Sequence, residues 1–448
     1  MVATYLLLID IICVYSRIIK LLFIIIYEIC KYDVYKSINY LCNKHTNRLY
    51  LIINISKRLE YENIVYVKLF QALCLNNDLL SSNEQDYLLK YTDNVPYTNE
   101  EIDFELLGKL TRDYSITLSN NTPINSGIIG LVFDGYDSSK NKVIIKMLKR
   151  DIFNKFIKVF DELLHMSYIC AYIPYIKSLK ISKLLLDNKE VLLNQMNFTK
   201  EAEAIEIFTY KYKNNKEFRF PKVYREITEK YKDILVMENI CGLKFRDIEI
   251  MDETIKEEFA YLLNKFNILG LLYHSIIHCD LHSGNIFFYI NNEHDASNNI
   301  IIPKYMLGII DFGICSFPNK ESQNAYYIFF DNMFYNHDYS NIEYIINIFT
   351  EENNKINSFN STIKQRLCDE TIYCLEMYAN HKITNQALVN KLGEIFYKYD
   401  LNFTQEFNRI ILSLHTAHSS VKLLSSNVNI AMTKVITELN YFNQLITI

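Results

Sequence analysis

Residues 126–148, "SGIIGLVFDGYDSSKNKVIIKML", form two β-rich runs around a polar Asp/Ser/Asn turn, the pattern of a hairpin. The chain on either side is helical in pattern. Residues 1 to about 110 are predicted as helices that end in the polar turn "YTDNVPYTNEE". A long helical stretch follows the hairpin, and "NFTKEAEAIEIFTYKY" carries a helix start at Asn197 or Thr199. "FPKVYREITEKYKDILVMENICG" predicts two short strands with a connecting turn. From about 250 the chain is predicted helical, interrupted by "HSIIHCDLHSGNIFF" and "YMLGIIDFG", with "NNEHDASNN" as a loop insertion. No internal repeat is found. A β-rich lobe feeding a helical lobe, with polar motifs at strand ends, predicts an α+β, bilobal protein-kinase-like fold. The expected domains are a helical extension over 1–110, an N-lobe over 111–240 and a mainly helical C-lobe over 241–448.

The first helix raises a separate question. "TYLLLIDIICVYSRIIKLLFIIIYEICKY" is apolar but contains Asp10, Arg17, Lys20, Glu28 and Lys31. No uncharged run approaches the roughly 20 residues of a membrane span. On a helix those charges fall in one stripe roughly 80° wide. A core helix of a bundle, an interfacial membrane helix and a true span are the competing readings, in that order. A cleavable signal would place its positive charge ahead of the apolar region, which this segment does not.

Half of the 448 residues are hydrophobic and 14% are aromatic, ample for two or three structural units. A formal net charge of −5 excludes a broad basic face for nucleic acid. Ten cysteines without a C-x-x-C pair read as reduced thiols in a reducing compartment, with Cys279 and Cys315 as small packing residues.

The chemistry-bearing motifs fit the kinase layout. In "NSGIIGLV", Gly127, Gly130 and Val132 match the end of G-x-G-x-x-G-x-V, where glycines let backbone N–H groups approach phosphates. Lys146 ends "VIIKML" on the next strand, suited to the α- and β-phosphates, and needs a positioning carboxylate. Glu201 is assigned that role, and Glu203 and Glu206 are assigned to a solvated face. "ILVMENICG" is the expected hinge, where the backbone from Met237 through Glu238 to Ile240 can bond adenine. Asp280 and Asn285 have the D-x-x-x-x-N spacing of a kinase catalytic loop, the aspartate serving the attacking hydroxyl and the asparagine a magnesium ion. Asp311 of "GIIDFG" is a hard oxygen ligand for Mg²⁺ bridging phosphates. His278 and His282 alternate with Asp280 but lack a third ligand cluster, so they are read as loop-shaping residues, not a zinc site. The implied cofactors are ATP or ADP and Mg²⁺.

In "HCDLHSGN", "FTKEAEAIEIF" and "YVKLFQALCLNNDLL" the chain resembles the UbiB/ADCK family of atypical kinases, over about residues 60 to 320. These segments are similar to the family's H-x-D-x-H-x-G-N loop, its glutamate-bearing helix and its K-x-G-Q segment, the last represented by Lys68, Leu69, Phe70 and Gln71. The resemblance implies ATP hydrolysis or phosphorylation of a small molecule, an association with coenzyme Q and isoprenoid lipids, and a K-x-G-Q module that covers the active site. Three departures stand out. Phe70 replaces a glycine, "NSG" replaces an alanine-rich loop, and Gln195 and Asn197 replace the two acids of E-x-D. Lys68 would then face amides, and a looser cover is expected. The alternatives are a nucleotide- or lipid-binding pseudokinase scaffold, and a small-molecule kinase similar to aminoglycoside or choline kinases. The expected partners are the nucleotide and an isoprenoid lipid or membrane surface met through the N-terminal helix.

Overall fold

The computed structural model describes residues 2–42, 47–63, 65–66, 95–170, 181–291, 303–333, 337–351, 353–380, 382–383 and 385–425, with 84, 87, 172, 435 and 438 besides. Lys68–Gln71 and most of the 291–299 loop lie outside these residues. The chain divides into two compact units, Met1–Thr199 with Tyr224–Glu238, and Lys200–Val223 with Asn239–Ile448.

The first unit opens with α1 (Val2–Leu41) and α2 (Leu49–Glu62). Next comes α3 (Phe104–Tyr114), whose first turn is capped by the Asp103 carboxylate accepting from Leu106 N–H at 3.0 Å. Short strands β1 (Thr117–Leu118) and β2 (Asn125–Ser126) lead into the predicted hairpin, β3 (Gly130–Tyr136) and β4 (Lys142–Leu148). Burial alternates along both hairpin strands: Leu131, Phe133, Val143, Ile145 and Met147 point into the core, while Val132 and Lys146 share the other face. The turn is built by Asp137, whose carboxylate accepts from Ser139 N–H at 2.9 Å and Asn141 N–H at 2.8 Å. Helices α4 (Ile152–Cys170) and α5 (Ile181–Asn194) follow, and α6 (Phe198–Lys211) belongs to the second unit from Lys200 on.

Short strand β5 (Phe218–Arg219) belongs to the second unit, and the chain then returns to the first. There the sequence expectation needs a correction. The first of the two strands predicted in 220–242 is a helix, α7 (Arg225–Lys230), ahead of β6 (Ile234–Glu238). Good helix formers and an Arg225–Glu229 pair at 3.0 Å one turn apart outweigh the β-branched residues that suggested a strand. The sheet is antiparallel, ordered β1-β3-β4-β6 with β2 beside β3, and packs on Leu107 and Leu110 of α3.

Helix α1 also departs from expectation. Ile18, Leu21 and Ile24 are buried, but Ile19, Phe23 and Ile26 are more than half exposed. Part of the charged stripe is turned inward instead. Glu28 is 2% exposed and lies 2.5 Å from Arg58, and Arg17 Nε lies 2.9 Å from buried Glu162, an ion pair too poorly aligned for a hydrogen bond. Tyr66 O–H donates to the other oxygen of Glu162 at 2.5 Å. Among the described residues no helix is long and apolar enough to cross a membrane.

The second unit is built on α8 (Glu253–Leu269), followed by β7 (Ile277–His278), β8 (Ile286–Ile290), β9 (Tyr305–Ile309) and β10 (Cys315–Ser316). β7 pairs with β10, and β9 lies between β5 and β8. Helices α9 (Lys320–Asp331), α10 (Ile342–Phe349), α11 (Ser361–Ala379), α12 (Asn385–Lys398) and α13 (Gln405–Leu424) complete it around a core that includes Tyr326, Phe349 and Phe407.

Candidate active site

The stretch that carries Asp280 is set by what precedes it. After α8 the helix widens over Gly270–His274 and stops at Ser275 in the left-handed conformation. A Cβ on Gly270 would lie 2.4 Å from the Ile276 carbonyl oxygen, so no other residue allows the chain to double back here. β7 then delivers His278, 1% exposed, whose ring spans two loops. Its Nδ1 accepts from Asp280 N–H at 3.2 Å, and its Nε2 donates to the Ile310 carbonyl at 3.2 Å. Those two bonds assign the proton to Nε2. Burial also lowers the His278 pKa and keeps the ring neutral.

Asn285 makes the second link. Its Nδ2 donates to the Asp280 carbonyl at 2.8 Å, and its own carbonyl accepts from Ile310 N–H at 3.0 Å. His278 and Asn285 therefore tie the backbone of Asp280 to the residue before Asp311 by two independent routes. His282 shapes the turn between them, its Nδ1 accepting from Gly284 N–H at 3.0 Å. A Cβ on Gly284 would meet that ring at 2.8 Å. The loop-shaping roles expected of both histidines are the ones observed.

Asp311 sits at φ 62°, a left-handed conformation that aspartate tolerates better than most residues and that concentrates at functional turns. Phe312 is buried, its ring 5.0 Å from His278 and 5.0 Å from Phe208 of α6. Phe208, Tyr212, Phe220 and Phe266 continue this aromatic cluster beneath the loops. Sequence reasoning passed over the cluster; the i, i+4 spacing of Phe208 and Tyr212 was its available signal. Glu201, on the same helix, is 4% exposed, while Glu203 and Glu206 are exposed. Its carboxylate approaches the Asp-Phe-Gly turn, with Oε2 3.9 Å from where a Cβ on Gly313 would stand. Cys279 and Cys315 are packing residues: burial pushes the Cys279 thiol up to about 12 and Cys315 well above the ordinary range.

The remaining predicted residues, Ile240 apart, lie on or beside the sheet of the first unit. Gly127 N–H donates to the Gly130 carbonyl at 2.8 Å, closing the tight turn before β3. A Cβ on Gly130 would come within 3.0 Å of the Met147 carbonyl oxygen. Lys146 stands opposite Val132 on one side and Leu235 on the other, and Met237 and Glu238 end β6 opposite Ile144 and Val143. Ile240 is buried at the start of the second unit's longer segment, and Glu201 belongs to that unit while Lys146 belongs to the first. Gln195 and Asn197 lie in the turn between α5 and α6.

Among the described residues no group of three or more His, Cys, Asp or Glu side chains could hold a metal unaided. One aspartate and one asparagine suit Mg²⁺, which keeps waters and takes further oxygens from phosphates. The Asn285 hydrogen bond to Asp280 fits that use, since it turns Nδ2 into the loop and leaves Oδ1 as the acceptor.

A β-hairpin sheet in one unit and an H-x-D loop bound to an Asp-Phe-Gly turn in the other define an atypical, protein-kinase-like protein. Residues 102–346, more than half of the chain, match the family model of the ABC1 atypical kinase-like domain, and the chain belongs to that family. It is 25% identical over 292 residues to "Probable protein kinase UbiB" of Blochmanniella pennsylvanica, covering 62% of this chain and 50% of that protein. It is 27% identical over 233 residues to "Probable serine/threonine-protein kinase abkB" of Dictyostelium discoideum, covering 50% and 34%. The chain thus spans about half or less of the length of these curated relatives. The Rv3197–erythromycin complex from Mycobacterium tuberculosis aligns with 79% of this chain and 87% of its own, at 15% identity and a TM-score of 0.45.

Proposed function

We propose that the chain binds Mg·ATP and either hydrolyses it or transfers its phosphate to a small-molecule or lipid-related acceptor. The observation that carries this reading is the double link through His278 and Asn285, which holds Asp280 and the Asp311 turn as one body. Such preorganisation is what phosphoryl transfer asks of a protein, since most of its catalysis is positioning. In this reading the Gly127–Gly130 turn and Val132 cover the nucleotide. Lys146, paired with Glu201, meets the α- and β-phosphates, and the backbone of Met237, Glu238 and Ile240 meets the adenine. Asp280 orients the acceptor hydroxyl or water, and Asn285 and Asp311 hold Mg²⁺, which when bound neutralises phosphate charge.

After "DFGICSFP" no A-P-E segment follows, so the usual peptide-docking platform is missing, which supports a non-protein acceptor. The resemblance supplies isoprenoid and quinone lipids as the class to test. A membrane surface is the second partner in this reading, met through the outward apolar face of α1, where Ile19, Phe23 and Ile26 are flanked by Tyr15 and Tyr27. The test is thermal stabilisation by Mg·ATP together with ATP turnover. Asp311→Asn should abolish most of the stabilisation, and Asp280→Asn should retain it while losing turnover. Stabilisation that survives in the Asp311 variant would overturn the metal assignment.

A further inference from the structure

Helix α13 lies outside the residues that match the family model, yet it reaches the backbone around Asp280. Ser413 Oγ–H donates to the His278 carbonyl at 2.9 Å, and Ser420 Oγ–H donates to the Leu281 carbonyl at 3.1 Å. Both serines are buried, at 0% and 3% exposure. They stand seven residues apart, two helical turns, and so project from one face. Ala417, buried between them, keeps that face small enough for the helix to approach the loop closely. The two carbonyls they bind bracket Cys279 and Asp280. A buried carbonyl robbed of its donor is penalised, so the loop cannot lift away from α13 without cost.

We infer that Ser413 and Ser420 are positioning residues that set the height of Asp280, making α13 a built-in strut of the catalytic loop. This rests on the nucleotide-turnover reading for its consequence, but not for its geometry. His278 and Asn285 tie the loop to the Asp311 turn on one side. The serines hold its carbonyls from another element, so the chain is restrained on both sides of Asp280, at His278 and Leu281, by groups more than a hundred residues away.

The test is a Ser413→Ala/Ser420→Ala variant of the full chain, with Lys422→Ala on the exposed side of α13 as control. Amide hydrogen exchange in 278–285 should speed up by about tenfold, while the amides of α13 keep wild-type protection. In the turnover assay kcat should fall about tenfold, with KM for Mg·ATP moving by less than about twofold. Where the double variant does not fold, Ser420→Ala alone should give an effect of roughly threefold in exchange. Wild-type exchange in the loop, or loop and helix loosening together, would overturn the inference and leave the serines as ordinary packing groups. Absence of ATP turnover in the wild type would instead sink the proposed function, and the exchange result would still decide the role of α13.

Discussion

Helices α1 and α13 flank the family-matched residues, and they use polarity in opposite ways. On α1 the outward face is apolar, with Ile19 at 65% and Phe23 at 68% exposure, while Glu28 is buried against Arg58. On α13 apolar Ile410 is buried as expected, but so are two serines whose hydroxyls serve another segment's carbonyls. Both helices are amphipathic in sequence. The difference teaches that a helical pattern states which residues share a face, and leaves open which face is covered and by what.

The same substitution on the two helices gives the sharpest contrast. Ile410→Ala removes a side chain that is 1% exposed and should lower unfolding free energy by about 3 kcal/mol, read by urea denaturation. Ile19→Ala should cost less than about 0.5 kcal/mol. Equal losses would mean that α1 is covered in solution.

Arg17→Ala comes next. It removes the positive partner of buried Glu162, leaving Tyr66 as the neutral one. A loss of about 2 kcal/mol is expected, below that of a fully buried pair because Arg17 keeps 38% exposure. Glu162→Gln in the same background should recover part of it. No loss in Arg17→Ala would show that α1 is not held through this ion pair.

Acid should act on the α13 side of the comparison. Burial lowers the pKa of His278, and that of His274 from 6.5 to about 4. The unfolded chain therefore takes up these protons first. Their contribution to stability is complete above about pH 6.5 and declines below it, for His274 by roughly 1 kcal/mol per unit as pH falls towards about 4. The melting temperature of wild type should drop through that window, and a His274→Gln variant should drop less steeply. Parallel curves would contradict the partial burial of His274.

Phe23→Ser with Ile26→Ser is also expected to act weakly on stability, shifting unfolding by less than about 1 kcal/mol. Sedimentation with vesicles containing anionic lipid should nevertheless fall several-fold. Undiminished sedimentation would remove α1 as the membrane-facing element.

The parts of the site carried by short spacings were legible in advance. Asp280 and Asn285 are five residues apart, and the amide of one does bond the backbone of the other. The hairpin of β3 and β4 followed from its period of two, and the start of α6 from its polar cap region. The helix at 225–230 was not legible, because a six-residue segment rich in both helix formers and β-branched residues satisfies either period.

By itself, then, the sequence determined the order of elements outside 225–230, the H-x-D and Asp-Phe-Gly motifs and the family they belong to, since each rests on residues near one another along the chain. Only the tertiary structure decided that Glu28 faces inward and Phe23 outward, that Phe208 packs on Phe312, and that Ser413 meets His278 across 135 residues. The physical reason is one of range. Backbone periodicity and local hydrogen bonds act over a few residues, whereas burial and long-range donor–acceptor matching depend on which segment arrives alongside.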